Sequence, residues 1–201
     1  GVKKDSSNAI KWLRAAAEQN DEEAQCKLGD AYYQGEGIPE DYKEAIKWYK
    51  AAAEQNYEDA QFKLGKAYYK GEGVSKSYSK ALGWFEKAAE NGNTIAQYLS
   101  AHMYHKGNGV SQDLKKAKVW YKCAAENGDG ESQYRLGKMY HEGEGVPESK
   151  YHAYIWLNLA QACGHEKAKA KKKITGKSLT LSQITKAQTE SNEIYERLQD
   201  G

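Results

Sequence analysis

A chain of 201 residues with 39% hydrophobic residues, 16 tyrosines and 5 tryptophans carries enough apolar material to bury a core, which excludes an intrinsically disordered chain. A formal net charge of +2 excludes a whole-molecule attraction to nucleic acid or to an acidic membrane surface. The opening residues do not resemble a signal peptide, and no run of residues reaches the roughly 18–20 apolar positions of a membrane span.

An internal repeat dominates the sequence. Successive tryptophans lie 36 residues apart, at Trp12, Trp48, Trp84, Trp120 and Trp156. Pairs of glycines keep the same step, at Gly35-x-Gly37, Gly71-x-Gly73, Gly107-x-Gly109 and Gly143-x-Gly145. Such a period predicts one supersecondary unit per repeat, stacked on its neighbours.

In chain order, residues 5–19 match only the second half of the unit, and four complete helix pairs follow at 22–55, 58–91, 94–127 and 130–163. The segment 166–199 departs from the pattern. Its first part, residues 166–174, is rich in lysine, and its second part carries Leu181, Ile184, Ile194, Tyr195 and Leu198 at helical spacing. We expect this segment to cap the end of one single repeat domain spanning 1–201.

Each unit is interpreted as two helices. In the first helix, Ala24, Leu28, Ala31 and Tyr32 share one face. In the second, Ala45, Trp48, Tyr49 and Ala52 do so. Gly35 is suited to end the first helix in a left-handed conformation. Residues able to cap a helix N-terminus precede each second helix, at Asp5, Asp41, Ser77, Asp113 and Ser149. The C-terminal turns carry Asn20, Asn56, Gly92, Gly128 and Gly164.

These residues resemble the Sel1-like repeat family, a relative of the tetratricopeptide repeats. The match is carried by Ala60-Gln61-x-x-Leu64-Gly65-x-x-Tyr68-x-x-Gly71-x-Gly73-Val74 followed by Ala81-x-x-Trp84-Phe85-x-x-Ala88-Ala89-x-x-Gly92, and it extends over about residues 5–165. The third unit departs, with Ser100 and Ala101 in place of Leu-Gly, so we expect looser packing there.

The resemblance implies an all-α, right-handed superhelical solenoid of 36-residue repeats that binds other proteins. Members of the family are commonly bacterial, many are secreted or periplasmic, and some are immunity proteins that neutralise a toxin. A cysteine-rich branch is linked to β-lactam binding. The present chain lacks the cysteine spacing of that branch, which disfavours it.

A surface for a partner is predicted on the first helices, on the side opposite residue 28. Positions equivalent to Cys26, Asp30 and Tyr33 lie there at about 100° per residue. The later units place aromatic and basic residues at these positions: Phe62, Lys66, Tyr69, Tyr98, His102, His105, Tyr134, Lys138 and His141. We call these nine residues the first-helix stripe. Aromatic anchors beside cationic groups fit an extended, acidic peptide. The alternative is that position 26 packs against the neighbouring repeat and that the lysines form a solvated face.

Four other features have simpler interpretations. His102, His105 and His141 could approach one another as metal ligands, but ordinary surface histidines account for them equally well. Ser77-Tyr78-Ser79-Lys80 matches the Ser-x-x-Lys of β-lactam-reactive enzymes, yet Ser77 occupies a helix-cap position. The Gly-x-Gly pairs follow helices and are turns, not phosphate loops. A basic run is best interpreted as a solvated face and not as a lipid or nucleic-acid site: Lys167, Lys169, Lys171, Lys172, Lys173 and Lys177.

The three cysteines, Cys26, Cys123 and Cys163, match no zinc spacing and are interpreted as buried or partly buried thiols without a disulfide framework. The sequence therefore predicts a monomeric, non-catalytic scaffold that binds a protein or an extended, acidic peptide, with no cofactor, no metal and no nucleic acid. Two alternatives stay open: an immunity or inhibitor protein that neutralises a bacterial toxin, and, from another class, a hydrolase or β-lactam-binding enzyme.

Overall fold

The computed structural model describes residues 2–199, and the side chains of residues 9–199. Within that part of the chain all regular structure is helical. The helices are α1 Val2–Glu18, α2 Glu22–Gln34, α3 Tyr42–Glu54, α4 Glu58–Lys70, α5 Tyr78–Glu90, α6 Thr94–Lys106, α7 Leu114–Glu126, α8 Gly130–Glu142, α9 Lys150–Ala162, α10 Glu166–Gly176 and α11 Leu181–Gln199. This confirms the predicted all-α class. None of the described helices is long and apolar enough to cross a membrane.

The chain forms two compact units, Gly1–Ala96 and Gln97–Gly201. In the first unit each helix from α1 to α4 packs against the next one in the chain. In the second unit α8 packs against both α7 and α9, and α10 and α11 both pack on α9. Each unit is therefore built by the nearest-neighbour packing that repeats of this length require.

The helix ends follow the sequence signals. Asp41 accepts hydrogen bonds from the backbone N–H groups of Lys43 and Glu44 at 2.9 and 3.1 Å. The same capping role falls to Ser77, Asp113 and Ser149. Left-handed backbone closes the turns, for example at Gly35 with φ 71° and at Gly71 with φ 85°. The five predicted C-terminal turn residues, Asn20, Asn56, Gly92, Gly128 and Gly164, all have positive φ.

The prediction that Asp5 caps a helix N-terminus is wrong, because α1 begins at Val2 and residue 5 therefore lies inside the helix.

The first helices are buried on two sides. On one side Leu28, which is fully buried, joins a cluster with Ile10 and Ala17 of α1. On the other side Cys26 is only 2% exposed and belongs to a cluster with residues of α3 and α4. The prediction that position 26 lies away from the core is therefore wrong at Cys26, and the alternative that it packs against the neighbouring repeat is confirmed. A helix that packs between two neighbours has two buried faces, whereas the apolar pattern of the sequence indicates only one of these faces.

The repeated tryptophans have unequal surroundings. Trp156 is 8% exposed, Trp48 and Trp84 are half-buried, and Trp12 is 78% exposed. The following residue is the one that reaches the core, since Tyr49, Phe85, Tyr121 and Leu157 are each at most 3% exposed. The sequence predicts Trp48 on the apolar face of the second helix, and it packs, half-buried, against the cluster of α1 and α2.

The third unit is fully packed at its unusual positions. Ser100 and Ala101, which replace Leu-Gly, are both 0% exposed, so their burial gives no sign of the looser packing that the sequence predicts. The Ser100 hydroxyl is buried without a hydrogen-bond partner.

Two helices follow the repeats, as the sequence predicts for residues 166–199. Ile184, Ile194 and Tyr195 of α11 pack against a cluster that contains Tyr154 and Leu159 of α9. The helical spacing predicts Leu181 on the same apolar face, but this residue, the first of α11, is 80% exposed.

Candidate functional site

In the first unit the first-helix stripe is carried by α4. The ring of Phe62 lies 6.0 Å from the ring of Phe85, and Tyr69 lies 5.0 Å from Tyr78 and 6.5 Å from Phe85. Both rings are half-buried against the second helix of their own repeat, whereas Lys66 is exposed. The Lys66 ammonium lies 5.5 Å from the centre of the Phe62 ring. This part of the stripe is thus an exposed cation above aromatic rings that the fold holds in place.

An ion network borders this part of the stripe. Lys63 Nζ lies 2.8 Å from Asp30 Oδ2, 2.6 Å from Asp59 Oδ2 and 3.5 Å from Cys26 Sγ. Tyr49 donates a hydrogen bond of 2.8 Å to the other oxygen of Asp30. Burial opposes the charge on Lys63, but the hydrogen bonds to Asp30 and Asp59 outweigh it and raise the pKa of the ammonium above its ordinary value. The network lines a cavity of about 140 Å³ that Lys66 also lines.

The same cluster contains the donor atoms of a potential metal site. Cys26, Asp30 and Asp59 each offer one ligand atom, and these atoms lie within 4.8 Å of one another. The Lys63 ammonium contacts all three and supplies the positive charge there. Burial raises the pKa of the Cys26 thiol to about 12, so the thiolate that a metal needs is disfavoured. These residues therefore fit a lysine-centred network better than a metal centre.

In the second unit α6 carries Tyr98, His102 and His105. Tyr98 stacks on His102 with ring centres 6.0 Å apart and lies 6.1 Å from Tyr121. His105 contacts the edge of Tyr121 at 6.0 Å, and its Nε2 atom lies 3.1 Å from Glu144 Oε1. All three stripe residues are half-buried, as are the rings on α4.

The remaining stripe residues lie on α8. Tyr134 stacks on the ring of His165 at 4.2 Å. Lys138 pairs with Glu142 at 3.4 Å, and His141 Nδ1 lies 2.9 Å from Thr175 Oγ1. In the described part of the chain His102, His105 and His141 form no group that could hold a metal ion, so the three-histidine hypothesis is wrong. Two of these rings bond to Glu144 and Thr175 instead.

Two of the stripe histidines, His102 and His141, add little positive charge to the stripe. Burial lowers the pKa of His102 below its ordinary value of 6.5, and the positive charge of Arg135 lowers it further. The pKa of His141 is lowered by burial and by the nearby Lys171 and Lys150. Both imidazoles are therefore predominantly neutral at pH 7, and Lys66 and Lys138 are the lysine cations of the stripe.

Two cationic side chains that lie beside the stripe, Lys63 and Arg135, are not predicted from the sequence. Lys63 bonds to Asp30, and Arg135, at the equivalent position two repeats later, bonds to Glu131 at 2.6 Å. Lys63 is 33 residues after Asp30 and 37 after Cys26. Both separations differ from the 36-residue period by less than one helical turn. A search for charge pairs at the repeat length plus or minus one turn would have found Lys63.

The other sequence features have structural roles. The Ser77 hydroxyl caps α5 by accepting the N–H of Lys80 at 3.3 Å, and the Lys80 ammonium lies 5.4 Å from the Tyr68 ring. Among the cysteines Cys26 is buried and Cys123 half-buried, as expected. Cys163 is exposed, because it occupies the C-cap of α9.

Comparison with known proteins places these features in a family. The model of the Sel1 repeat matches residues 1–21, 22–57, 58–93, 94–129 and 130–165. Among solved structures, a Sel1 repeat protein from Oxalobacter formigenes is 36% identical with a TM-score of 0.76, and the match covers 84% of this chain and 49% of that one. None of the curated proteins compared with the chain matches it.

Two further structures resemble the chain less closely. A protective antigen of uropathogenic Escherichia coli, which displays the same repeat fold, is 27% identical with a TM-score of 0.49, and the match covers 93% of this chain and 49% of that one. An immunity protein from Pseudomonas aeruginosa is 18% identical with a TM-score of 0.46, and the match covers 96% of this chain and 74% of that one. The chain thus spans about half the length of the first two proteins.

Proposed function

Because this chain belongs to the Sel1 repeat family, whose repeats generally mediate protein–protein interaction, we propose that it is a non-catalytic scaffold that binds an acidic protein segment on the first-helix stripe. The observation that carries the proposal is the arrangement on α4. There the exposed Lys66 ammonium lies above Phe62, and Tyr69 is fixed by Phe85.

Rigid aromatic side chains make efficient binding anchors, because they lose little side-chain conformational entropy when a partner covers them. Phe62 and Tyr69 fit this requirement, since both rings are already packed and remain partly exposed. A lysine beside such rings favours a carboxylate on the partner. A packed ring and a lysine also occur on α8, where Tyr134 is held by His165 and Lys138 pairs with Glu142.

Non-catalytic function is proposed because the residues that match enzyme motifs already have structural tasks. Ser77 caps α5 and the Gly-x-Gly pairs close turns. We expect Ser77→Ala to lower the free energy of unfolding by about 1 kcal/mol, as the loss of an N-cap does, and to leave partner binding unchanged. Turnover of a chromogenic β-lactam by the wild type that is lost in Ser77→Ala would contradict the proposal.

The test is affinity capture with immobilised chain, followed by calorimetry with the captured protein. The stripe variant combines Lys66→Glu with Tyr69→Ala. The control combines Lys43→Glu with Trp12→Ala, which makes the same change of charge and also removes one aromatic ring, at exposed positions outside the stripe.

We expect the wild type and the control to bind one partner equally and the stripe variant to lose more than about 1 kcal/mol of binding free energy, with an unchanged helical signal. Equal affinity for all three proteins would place the binding site elsewhere. A wild-type chain that captures nothing beyond an empty matrix would contradict the scaffold function.

A further inference from the structure

A second surface lies at the C-terminal end of the second unit, where α10 and α11 follow the repeats. Helices α9, α10 and α11 form the walls of an open groove of about 790 Å³. Its apolar lining comes from Tyr154, Ala170 and Ile184, one residue from each helix. The volume lies within the range of known ligand sites, so a side chain of a partner can enter it.

A row of lysines on α10 borders this apolar lining. Lys169, Lys173 and Lys177 all line the groove, and all three are exposed. They follow one another at intervals of four residues. Lys177 keeps near-helical backbone, with φ −63° and ψ −21°, so the row continues past the end of α10. Four residues of helix rise about 6 Å, which makes the row about 12 Å long.

This arrangement is unfavourable in the isolated chain. Like charges four residues apart destabilise a helix, and among the described residues no carboxylate forms an ion pair with Lys169, Lys173 or Lys177. By contrast, Lys171 on another face of α10 pairs with Glu142 at 2.9 Å. One acidic residue, Glu166, lines the groove. An incoming anion would relieve the repulsion within the row.

Lys172 adds a cation at the wall of the groove. It is half-buried, its ammonium donates a hydrogen bond of 2.8 Å to the amide oxygen of Asn158, and it lies 5.7 Å from the Tyr154 ring. Burial and the neighbouring Lys169 lower the pKa of Lys172. Its partner is thus a neutral amide, and a carboxylate placed nearby would stabilise the charged ammonium.

We propose that this groove, which we call the cap groove, binds an acidic segment of another protein that inserts an aliphatic or aromatic side chain between α9, α10 and α11. Carboxylates about 6 Å apart on that segment pair with Lys169, Lys173 and Lys177. Acidic residues four apart on a helix have this spacing.

The chemistry of the groove favours a protein over the other polyanions. Nucleic acid is bound through phosphates together with bases stacked on exposed rings. The one aromatic ring of the groove, Tyr154, is 6% exposed and lies beneath Lys172, so it offers no platform for a base. A bilayer presents a broad surface, whereas the lysines here border a concave apolar groove that suits one inserted side chain.

The test begins with selection from a displayed library of random peptides on the full-length chain. Each enriched peptide is then synthesised with a fluorescent label and titrated by anisotropy. The groove variant is Lys169→Glu with Lys173→Glu. The charge-matched control is Lys106→Glu with Lys115→Glu, two exposed lysines elsewhere in the second unit. A third variant, Ala170→Phe, fills the groove without changing its charge.

We expect the enriched peptides to combine Asp or Glu with Leu, Ile or Phe. Their affinity should fall at least tenfold in the groove variant and in Ala170→Phe, and should stay unchanged in the control. Thermal melts followed by circular dichroism would establish that all the variants fold. Peptides that lack acidic residues, peptides that bind the groove variant as well as the wild type, or no enrichment at all would overturn the proposal.

Two further arms distinguish the cap groove from the first-helix stripe and from a membrane-binding surface. The stripe variant, Lys66→Glu with Tyr69→Ala, should bind the selected peptides like the wild type, and loss of binding there would assign the peptides to the stripe and overturn the cap groove. Vesicles of phosphatidylglycerol and phosphatidylcholine form the second arm. Binding of the chain to these vesicles that depends on Lys169 and Lys173, without peptide binding, would assign the lysine row to a membrane surface and overturn the proposal.

Discussion

Gly65 lies directly against the ring of Phe85, so that a Cβ atom at residue 65 would come within 2.6 Å of the ring carbon Cδ1. Gly29 and Tyr49 are related in the same way in the preceding repeat, also at 2.6 Å. The glycine of the Leu-Gly motif therefore sets how closely the two helices of a repeat approach. It also brings the second-helix ring beneath the aromatic residues of the first-helix stripe.

The variant Gly65→Ala should lower the free energy of unfolding by about 1–3 kcal/mol, because the added methyl group overpacks the contact with Phe85. The matched control is Gly83→Ala in α5, where nothing lies within 4 Å of the added Cβ. This control should be stabilised by roughly 0.5–1 kcal/mol, since alanine favours a helix interior. Urea titrations of both variants would measure these effects. Equal stability of the two would show that close approach at residue 65 is not required.

The tryptophans allow a second prediction. Trp48 packs against the cluster formed by α1 and α2, whereas Trp12 is 78% exposed. We expect Trp48→Ala to lower the free energy of unfolding by about 2–3 kcal/mol and Trp12→Ala to change it by less than about 0.5 kcal/mol. Chemical denaturation followed by circular dichroism would measure both. Similar losses in the two variants would contradict the difference in their packing.

This contrast shows what periodicity can and cannot predict. The period of 36 residues predicts the helices, their caps and their turns, because those depend on residues within one repeat. Burial of Trp12 or Trp48 depends on which neighbouring helix lies over it, and equal spacing carries no such information. For the same reason the sequence predicts the position of the α4 part of the stripe but not its environment. The spacing indicates that Phe62 and Tyr69 share a face, whereas their packing on Phe85 depends on Gly65.

A third prediction concerns the ion network. Removing the ammonium with Lys63→Met leaves Asp30 and Asp59 without their shared partner and should lower the free energy of unfolding by about 1–3 kcal/mol. The control is Lys27→Met at the equivalent position one repeat earlier. Lys27 pairs only with Glu23, and their side chains are 57% and 60% exposed.

We therefore expect Lys27→Met to change stability by less than about 0.5 kcal/mol. Urea titrations compare the two variants directly. Restoration of stability in Lys63→Met by Asp30→Asn would identify the unpaired carboxylate as the cause. If Lys63→Met were as stable as Lys27→Met, the network would have no role in holding α2 against α4.

The last prediction concerns pH. The pKa values of His102 and His141 are lowered below the ordinary value of 6.5, chiefly by burial. The unfolded chain therefore takes up protons near pH 6.5 that the folded chain does not bind. It follows that the contribution of these groups to stability is complete above pH 6.5 and is lost progressively as the pH falls below that value.

We expect the contribution of these histidines to the free energy of unfolding, measured by urea titration, to be constant above pH 6.5. It should decline from there down to about pH 5, where carboxylates are still ionised. The decline should be shallower in a variant with His102→Gln and His141→Gln, because neither glutamine titrates. Burial raises the pKa values of Glu131 and Glu142, but hydrogen bonds from His165 and Lys171 outweigh it, so both pKa values lie below 4.5. The stabilisation that these carboxylates provide is therefore lost only in stronger acid. A double variant that keeps the full wild-type slope between pH 6.5 and about pH 5 would show that other groups cause the acid sensitivity.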